Sequence, residues 1–425
     1  MPNNSDSSAT ADTLVGAKLL PVMAVVFITF LVIGLAMPVI PLHVHRGLGL
    51  GTFVVGLVAG AQFAASLLSR FWSGHWADNR GAKHAVAVGL LIGTTSGLLY
   101  LLSLRFAGAP LTSVMVLLLG RAVLGGAESF IVTGALSWGF ALAGPQRTGK
   151  VMVWVGTAMY VAFAGGAPLG TALYARFGFA AIASATILIP LCTLIFVAPL
   201  RAVAATAPTR PTFMRVVNAV CLPGAGLAFS SVGCGAITTF IVLLFAQYRW
   251  GLAWLALTLF SLAFVAARLV FGHMPDRIGG ARVAFVFAFI EAAGLVLIWL
   301  APSSSLSLFG TTLTGLGYSL VYPGFGVEAV RRAPPENRGL AMGAYTAFLD
   351  LTLGLANPVL GLVASGFGLR AVFLVSAAVV MGATAMAVRL MKASAVTGSP
   401  NAVDGLRTRR RLMEGIAKNV TDVLN

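Results

Sequence analysis

The stretch that decides the fold is RFWSGHWADNRGAK at residues 70–83, because its pattern returns as RLVFGHMPDRIGGA at residues 268–281. The two copies share identical residues at a constant offset of 198, namely Arg70, Gly74, His75, Asp78 and Gly81 with Arg268, Gly272, His273, Asp276 and Gly279. Each copy lies where one long apolar run ends and the next begins. A polar hinge that is duplicated between apolar runs predicts two related halves and is typical of membrane transporters.

Composition places the chain in the membrane. Of the 425 residues, 58% are hydrophobic and only 9% are charged, and the mean hydropathy is +0.94. A spanning helix needs about 20 mostly apolar residues, and lipid offers the backbone no hydrogen-bond partners, so apolar runs of this length must be helices. The twelve candidate spans are residues 19–42, 53–71, 84–104, 111–139, 151–174, 179–199, 219–246, 252–272, 283–301, 306–329, 340–364 and 369–391.

The positive charge has a topological explanation. The net charge of +16 is compatible with nucleic-acid binding, but the distribution of the basic residues favours another reading. With both termini placed in the cytoplasm, 22 of the 28 Lys and Arg residues fall in cytoplasmic loops and tails, five fall outside, and Arg121 alone lies within a span. This bias follows the positive-inside rule, so we expect a multi-pass protein with cytoplasmic termini and no nucleic-acid partner.

A second part of the repeat extends the two halves. At an offset of 190, Pro145, Gly149, Pro168, Phe177 and Gly178 match Pro335, Gly339, Pro358, Phe367 and Gly368. The predicted organisation is two six-helix halves in parallel orientation. Its segments are a disordered cytoplasmic tail at 1–17, a first bundle at 18–200, a cytoplasmic linker at 201–217, a second bundle at 218–392 and a basic cytoplasmic tail at 393–425.

These features resemble the major facilitator superfamily over residues 18–392. The sequence GHWADNRGAK at 74–83 is similar to the loop signature of that family, although Asn79 stands where the family usually has a basic residue. Arg121 with Gly125 and Gly126 is similar to the family signature in span 4, and GGAPLG at 165–170 resembles, in degraded form, the Gly-Pro motif of its antiporters. Within the family the chain looks most like the bacterial 12-helix proton-linked efflux branch.

The resemblance implies the architecture of the protein and its place in the cell. The fold class is an all-α integral membrane protein of twelve transmembrane helices, arranged as two pseudo-symmetric six-helix bundles in the bacterial inner membrane. The family's central cavity is lined mainly by spans 1, 4, 7 and 10, with contributions from spans 2, 5, 8 and 11. Spans 9 and 12 lie at the periphery.

The repeated loops are candidate conformational latches. Asp78 and Asp276 are expected at the cytoplasmic starts of spans 3 and 9, where a carboxylate meets the positive end of a helix and nearby arginines. Such contacts would hold the outward-facing state by closing the inner side, whereas the simpler alternative is a solvated loop charge. The predicted latch residues are Gly74, Asp78, Arg80, Gly81, Gly272, Asp276 and Arg277.

Four charged residues inside spans are candidate proton carriers. Arg121 lies about 15 Å into span 4, and Glu128 follows about 10 Å further along the same face. Asp350 lies in the middle of span 11, and Glu291 lies among apolar residues in the middle of span 9. Charges at this depth are costly unless they face water or a partner, so function is the default reading. For Glu291, a neutral side chain satisfied by a backbone carbonyl is an equal alternative.

Polar and aromatic side chains on the expected cavity-lining spans are candidates for substrate binding. They are Phe30, Gln62, Trp138, Tyr160, Tyr318, Tyr322, Tyr345 and Asn357. Most aromatic residues in apolar spans only pack. Tyr318 and Tyr322 are favoured because they are one turn apart, and the neighbouring glycines and Pro323 allow a helix to bend.

The leading functional hypothesis is a proton-coupled exporter of a small molecule such as a drug or metabolite, working by alternating access. No enzyme motif, metal cluster or nucleotide-binding loop is present in the sequence, so we expect no enzyme and no cofactor other than the proton gradient. The expected partners are the substrate, protons and lipid, with the protein acting as a monomer. The alternatives are an uptake symporter or uniporter for a sugar or organic acid, and a non-transporting receptor or lipid-handling scaffold.

Overall fold

The structure is a computed structural model. It describes the backbone of residues 4–144, 148–202, 213–333 and 338–397, and the side chains of residues 19–144, 151–202, 220–333 and 341–393. In this part of the chain every long element is a helix. The helices are α1 (Asn4–Ala36), α2 (Thr52–Arg80), α3 (Ala82–Leu104), α4 (Pro110–Ala143), α5 (Thr148–Phe177), α6 (Phe179–Val197), α7 (Phe213–Gln247), α8 (Ala253–Phe271), α9 (Gly280–Leu300), α10 (Ser304–Arg332), α11 (Arg338–Phe367) and α12 (Leu369–Thr397).

Eleven of the described helices are long and apolar enough to cross a membrane. The remaining one, α10, is rich in Ser, Thr and Gly and falls below that level of hydropathy. It packs against α7, α8 and α9, where its polar groups find partners inside the protein. For example, Ser319 donates to the carbonyl of Phe264. The twelve-helix arrangement predicted from the sequence is therefore present, with one span that is more polar than the others and packs on three neighbouring helices.

The boundaries of three elements correct the sequence predictions. Residues 4–17, predicted to be disordered, belong to α1, because extending an existing helix avoids the cost of nucleation. For the same reason α7 begins at Phe213, inside the predicted linker, and α12 continues to Thr397. The basic tail beyond Thr397 lies outside the described residues.

Four glycines confirm the internal repeat in the backbone. Gly81 ends α2 and its counterpart Gly279 precedes α9, with φ angles of 93° and 97°. Gly178 and Gly368 end α5 and α11, with φ angles of 69° and 85°. Residues other than glycine rarely adopt such angles, so glycine at these positions lets the chain reverse within one residue. Both repeat offsets read from the sequence therefore describe matching turns.

The helices pack as two groups that meet mainly along two crossings. In the first group, α4 packs on α2 and α3, and α1 packs on α5; in the second, α9 packs on α10 and α12, and α7 packs on α11 and α12. The groups touch where α2 crosses α11 and where α5 crosses α8. The halves related by the sequence repeat are thus also the structural halves, and the crossings hold them together.

The two ends of the bundle differ. We call the end with residues 74–83 and 272–281 the repeat-loop end, and the opposite one the far end. At the far end, Arg46 donates to the carbonyl of Ala246 at 2.6 Å, and Thr52 bonds to the Gly361 carbonyl and to Ser365 at 2.9 and 2.8 Å. Between Arg70 and the repeat-loop end, no hydrogen bond joins the halves among the described side chains. This conformation is therefore closed at the far end.

Candidate functional site

A cavity of about 400 Å³ lies between the two halves. Its walls come from α1, α2, α4 and α5 of the first half and from α7, α8, α10 and α11 of the second. These are the eight helices that the family resemblance implied. Most of the lining is apolar, and the charged residues in the wall are Arg70, Arg121, Glu128, Arg268 and Asp350. A mostly apolar pocket with a few fixed charges is typical of a small-molecule site.

One ion pair crosses the cavity wall from half to half. Arg70 on α2 donates from Nε and Nη2 to Oδ2 of Asp350 on α11, at 2.6 and 2.5 Å. Ser66, one turn before Arg70, is 3.3 Å from the same oxygen. Asp350 is buried and lines the cavity, as its predicted coupling role requires. The carboxylate is therefore both accessible from the cavity and bound to the opposite half.

Sequence reasoning missed Arg70 as the partner of Asp350. It placed Arg70 in a cytoplasmic loop, whereas α2 continues through Arg80, and Arg70 lies nearly three turns from the end of that helix. A signal was present, because Gln62, Ser66 and Arg70 recur every four residues and so form a polar stripe on one face. Its repeat counterpart Arg268 was also assigned to a loop and also lines the cavity.

A second acid faces the cavity on α4. Gln62 Nε2 lies 2.6 Å from Glu128 Oε2 and donates to it. Arg121 lies two turns away on the same helix, is buried, and has no hydrogen-bond partner for its Nε among the described atoms. Glu128 is close enough to Asp350, Arg70 and Arg121 for electrostatic interaction. The structure therefore brings three of the four predicted proton carriers to one cavity.

The fourth predicted carrier, Glu291, lies elsewhere. It is fully buried in α9 and does not line the cavity. Ser230 on α7 donates to its Oε2 at 2.5 Å, while its Oε1 has no partner among the described atoms. The expected partner, a backbone carbonyl, is replaced by a hydroxyl. The proposed coupling role of Glu291 stays a prediction, and its position favours the structural alternative.

The predicted substrate-binding residues divide into two groups. Gln62, Tyr160, Tyr318 and Tyr322 line the cavity. The others do not line it: Phe30 and Trp138 are buried in the core of the first half, the Tyr345 hydroxyl donates to the carbonyl of Tyr322, and Asn357 is fully buried. In this conformation these four side chains pack at helix interfaces, so their contact with a transported molecule stays a prediction.

Aromatic residues line the cavity where α5 meets α8. The Tyr160 ring stacks on Phe264 with 3.5 Å between centroids. The Arg268 guanidinium lies 4.7 Å from the centroid of Phe264 and donates to the carbonyl of Ser319 at 3.0 Å. Tyr318 lies 5.9 Å from Phe264 between ring centroids. This cluster supplies flat apolar surface beside a positive charge.

The predicted latch residues make few contacts in this conformation. A side chain at Gly74 would meet open space, and the Arg80 guanidinium lies 5.4 Å from the ring of Trp76. Asp78 was expected at the start of a helix, but it lies in the last turn of α2, because Gly81 alone separates α2 from α3. In the second copy, Asp276 and Arg277 lie in a short helix, Met274–Ile278, before α9. The latch stays a prediction about another conformation.

The fold and the cavity define a class: a multi-pass helical membrane protein with two matching halves around a central site. The chain belongs to the Major Facilitator Superfamily, whose family model matches residues 22–256 and 224–412, and it is a transporter. Relatives include MFS-type transporters of Salmonella typhimurium, 41% identical over 84% of this chain and 92% of the relative, and of Burkholderia pseudomallei, 40% identical over 92% and 95%.

Solved structures of low identity share the fold. A bacterial homolog of the human lysosomal transporter Spinster, in an inward-facing and unoccupied conformation, has a TM-score of 0.69 at 13% identity, over 89% of this chain and 97% of that one. The nucleoside transporter NupG has a TM-score of 0.67 at 15% identity, over 88% and 99%. These likenesses describe architecture alone.

Proposed function

We propose that this protein exports a small molecule across the bacterial inner membrane in exchange for protons. The ion pair between Arg70 and Asp350 carries the proposal, because it joins the two halves inside the cavity wall. A carrier must couple a chemical event in its central site to the movement of its halves. A carboxylate that also holds the opposite half is placed to do so.

Protonation of Asp350 is the proposed coupling step. The ionised carboxylate attracts Arg70 and draws α2 toward α11, whereas the neutral acid loses most of that attraction. Loading a proton therefore loosens the crossing, and unloading it restores the ion pair. Glu128 supplies a second proton site, held by Gln62, with Arg121 two turns away on the same helix.

Alternating access completes the cycle. In the conformation described here, the far end is closed by Arg46 and Thr52, and we assign that end to the periplasm from the positive-inside bias. The cavity then loads substrate from the cytoplasm and later exchanges it for protons outside. The latch residues Asp78 and Asp276 would stabilise the alternate, outward-facing state.

A second candidate within transport is proton symport of an organic acid into the cell. The cavity wall carries three arginines and two carboxylates, and this excess of positive charge favours an anion such as an organic acid. A non-transporting receptor is disfavoured because charges buried at this depth are costly without a pathway to serve.

Transport assays distinguish the candidates. A thermal-shift screen of organic acids, cations, sugars and nucleosides on the detergent-purified protein identifies a stabilising compound. Export predicts that inverted vesicles accumulate it when they are acidified inside; symport predicts accumulation in right-side-out vesicles acidified outside. Asp350→Asn should abolish the response to the proton gradient while preserving exchange of labelled for unlabelled compound. An unchanged gradient response in both Asp350→Asn and Glu128→Gln would rule out the proposed carriers.

A further inference from the structure

The two crossings that join the halves are related by the internal repeat. An offset of 198 maps α2 onto α8, and an offset of 190 maps α5 onto α11. Their contacts correspond: Gly60 approaches Gly354 in one crossing, and in the other Thr258, the counterpart of Gly60, donates to the carbonyl of Ala164 at 3.0 Å. The crossings are thus two versions of one interface.

One position breaks this correspondence. In the first crossing, Arg70 and Ser66 both contact Asp350. In the second crossing Arg268 takes the place of Arg70, but the counterpart of Asp350 is Tyr160. Tyr160 stacks on Phe264, the counterpart of Ser66. The second crossing therefore keeps the arginine, Arg268, but lacks a carboxylate like the one that neutralises Arg70.

The surroundings of Arg268 leave part of its donor set without a protein partner among the described atoms. One nitrogen, Nη2, donates to the carbonyl of Ser319, whereas Nε has no partner among the described atoms. Nη1 lies where a side chain at Gly156 would stand, 2.7 Å from the position of its Cβ. Among the described carboxylates none forms an ion pair with Arg268. A guanidinium has five donors in a planar fork that matches a carboxylate.

The other two cavity arginines are differently engaged. Arg70 is bound to Asp350, and Arg121 shares α4 with Glu128, which interacts with it electrostatically. Those two pairs balance in formal charge, so the positive excess of the wall resides at Arg268. Next to it are the rings of Tyr160, Phe264 and Tyr318, which offer apolar surface.

We infer that Arg268 binds the anionic group of the transported molecule, and that this molecule is an organic anion whose apolar or aromatic body packs on Tyr160 and Tyr318. The inference rests on the proposal that the central cavity is the transport site. A bound anion gives Arg268 the negative partner that Asp350 gives Arg70. The transported molecule is thereby attached to α8. A cationic substrate would be repelled at this position.

Binding of matched probes tests the assignment. The probes are 2-naphthoate and 2-naphthalenesulfonate, with neutral 2-naphthamide as the comparison, measured on the full-length protein in detergent. Wild-type protein should prefer the two anions. Arg268→Gln should weaken anion binding about 10- to 100-fold, the range of a charge-assisted hydrogen bond, with little effect on naphthamide, and Arg268→Lys should fall between.

Arg370→Gln is the matched control. Like Arg268, Arg370 donates to a backbone carbonyl, that of Ala301 at 2.7 Å, and its guanidinium lies 4.6 Å from the ring centroid of Tyr248. Its Nε also has no partner among the described atoms. Unlike Arg268, it does not line the cavity. Its replacement should leave anion affinity within about twofold. An equal loss in Arg268→Gln and Arg370→Gln would overturn the assignment, because the effect would then be general destabilisation.

Restoring the missing acid is the second test. Tyr160→Asp gives Arg268 the partner that Arg70 has, while Tyr160→Asn removes the same ring without adding charge. We expect Tyr160→Asp to bind naphthoate at least about tenfold more weakly than Tyr160→Asn. Equal affinities, or a wild-type protein with no preference for anions, would overturn the inference. Gradient-driven flux of a cation would refute this inference alone, whereas Arg268-dependent anion binding without any flux would refute transport alone.

Discussion

Among single residues, the ion pair between Arg70 and Asp350 offers the sharpest test of energetics. The Asp350 side chain is 4% exposed and that of Arg70 is 25% exposed, so removing one partner leaves a charge that water only partly solvates. We expect Asp350→Asn to lower the free energy of unfolding by about 2 kcal/mol. The double variant Arg70→Gln with Asp350→Asn should recover more than half of that loss, because it leaves no unpaired charge.

Thermal unfolding in detergent measures both changes. Arg105→Gln is the control, since Arg105 is exposed in the turn between α3 and α4 and its loss should be neutral within about 0.5 kcal/mol. A double variant that is as unstable as the sum of the two single variants would show that the pair contributes no coupling energy.

Glu291 gives a second prediction for single residues. It lies outside the cavity and its carboxyl group is held by Ser230, so we expect Glu291→Gln to keep the dependence of transport on the proton gradient. Ser230→Ala should instead lower thermal stability, because a buried acid loses its hydrogen bond. The measurement is gradient-driven uptake in vesicles beside Asp350→Asn. Loss of the gradient response in Glu291→Gln would return Glu291 to the coupling pathway.

Residue identity alone could predict which side chains carry charge in the membrane, but not which of them meet. Asp350 and Glu128 stood out because acids inside apolar spans are costly. The partner of Asp350 escaped notice because Arg70 is near the end of an apolar run, where the sequence does not distinguish a loop from a continuing helix. Phe30 and Trp138 were predicted to contact substrate but pack in the core of the first half. Their identity does not show which face of the helix turns toward the cavity, because packing decides this.

For the helices, glycines at the crossing of α2 and α11 predict how the conformations interconvert. A Cβ at Gly60 would lie 2.7 Å from the carbonyl oxygen of Gly354, whereas one at Gly74 would meet nothing. Gly60→Val should therefore destabilise the state described here by about 2 kcal/mol, a shift of about thirtyfold toward the state open at the far end. Gly74→Leu should spare this state and block closure of the repeat-loop end.

Spin labels at the far end measure this shift. Arg105→Cys and Gln247→Cys place labels on exposed positions of the two halves, in a background where the exposed Cys192 and Cys221 are replaced by Ser. Gly60→Val should add a population with a longer distance between the two labels. Gly74→Leu should remove any such longer-distance population. Identical distributions in both variants would contradict the assignment of these glycines to opposite states.

The helices themselves were predictable because length and hydropathy determine them, and the exceptions have physical causes. The polar α10 was predicted from its apolar run at 306–329, although much of it is packed inside the protein. The single-residue turn at Gly81 was not foreseen, because the polar residues before it read as a loop. In the structure residues 72–80 extend α2 by about two and a half turns. A helix satisfies its own backbone hydrogen bonds in water as well as in lipid, so it need not end at the membrane surface.

On the scale of the whole molecule, the internal symmetry is kept in the backbone and broken in the chemistry. Gly81 with Gly279 and Gly178 with Gly368 preserve the turns. Asp350 and Tyr160 occupy equivalent places with different charge. In the proposed exchange, equivalent crossings would allow the halves to rock in either direction, and Asp350 would give protons one crossing to act on. The asymmetry could be read from the sequence only after the structure showed which positions face each other.

Closing the far end permanently tests whether rocking of the halves is the transport motion. Thr52 and Ser365 belong to opposite halves, and their hydroxyl oxygens are 2.8 Å apart, close to the span of a disulfide of about 2.0 Å between sulfurs. In the background without Cys192 and Cys221, Thr52→Cys with Ser365→Cys should crosslink on oxidation and abolish transport. Binding of the stabilising compound should persist, because the cavity stays accessible from the repeat-loop end. Reduction with dithiothreitol should restore flux, and each single cysteine variant should transport under both conditions. Full transport by completely crosslinked protein would show that substrate passes without separation of the halves at this end, and the alternating-access mechanism would then fail for this protein.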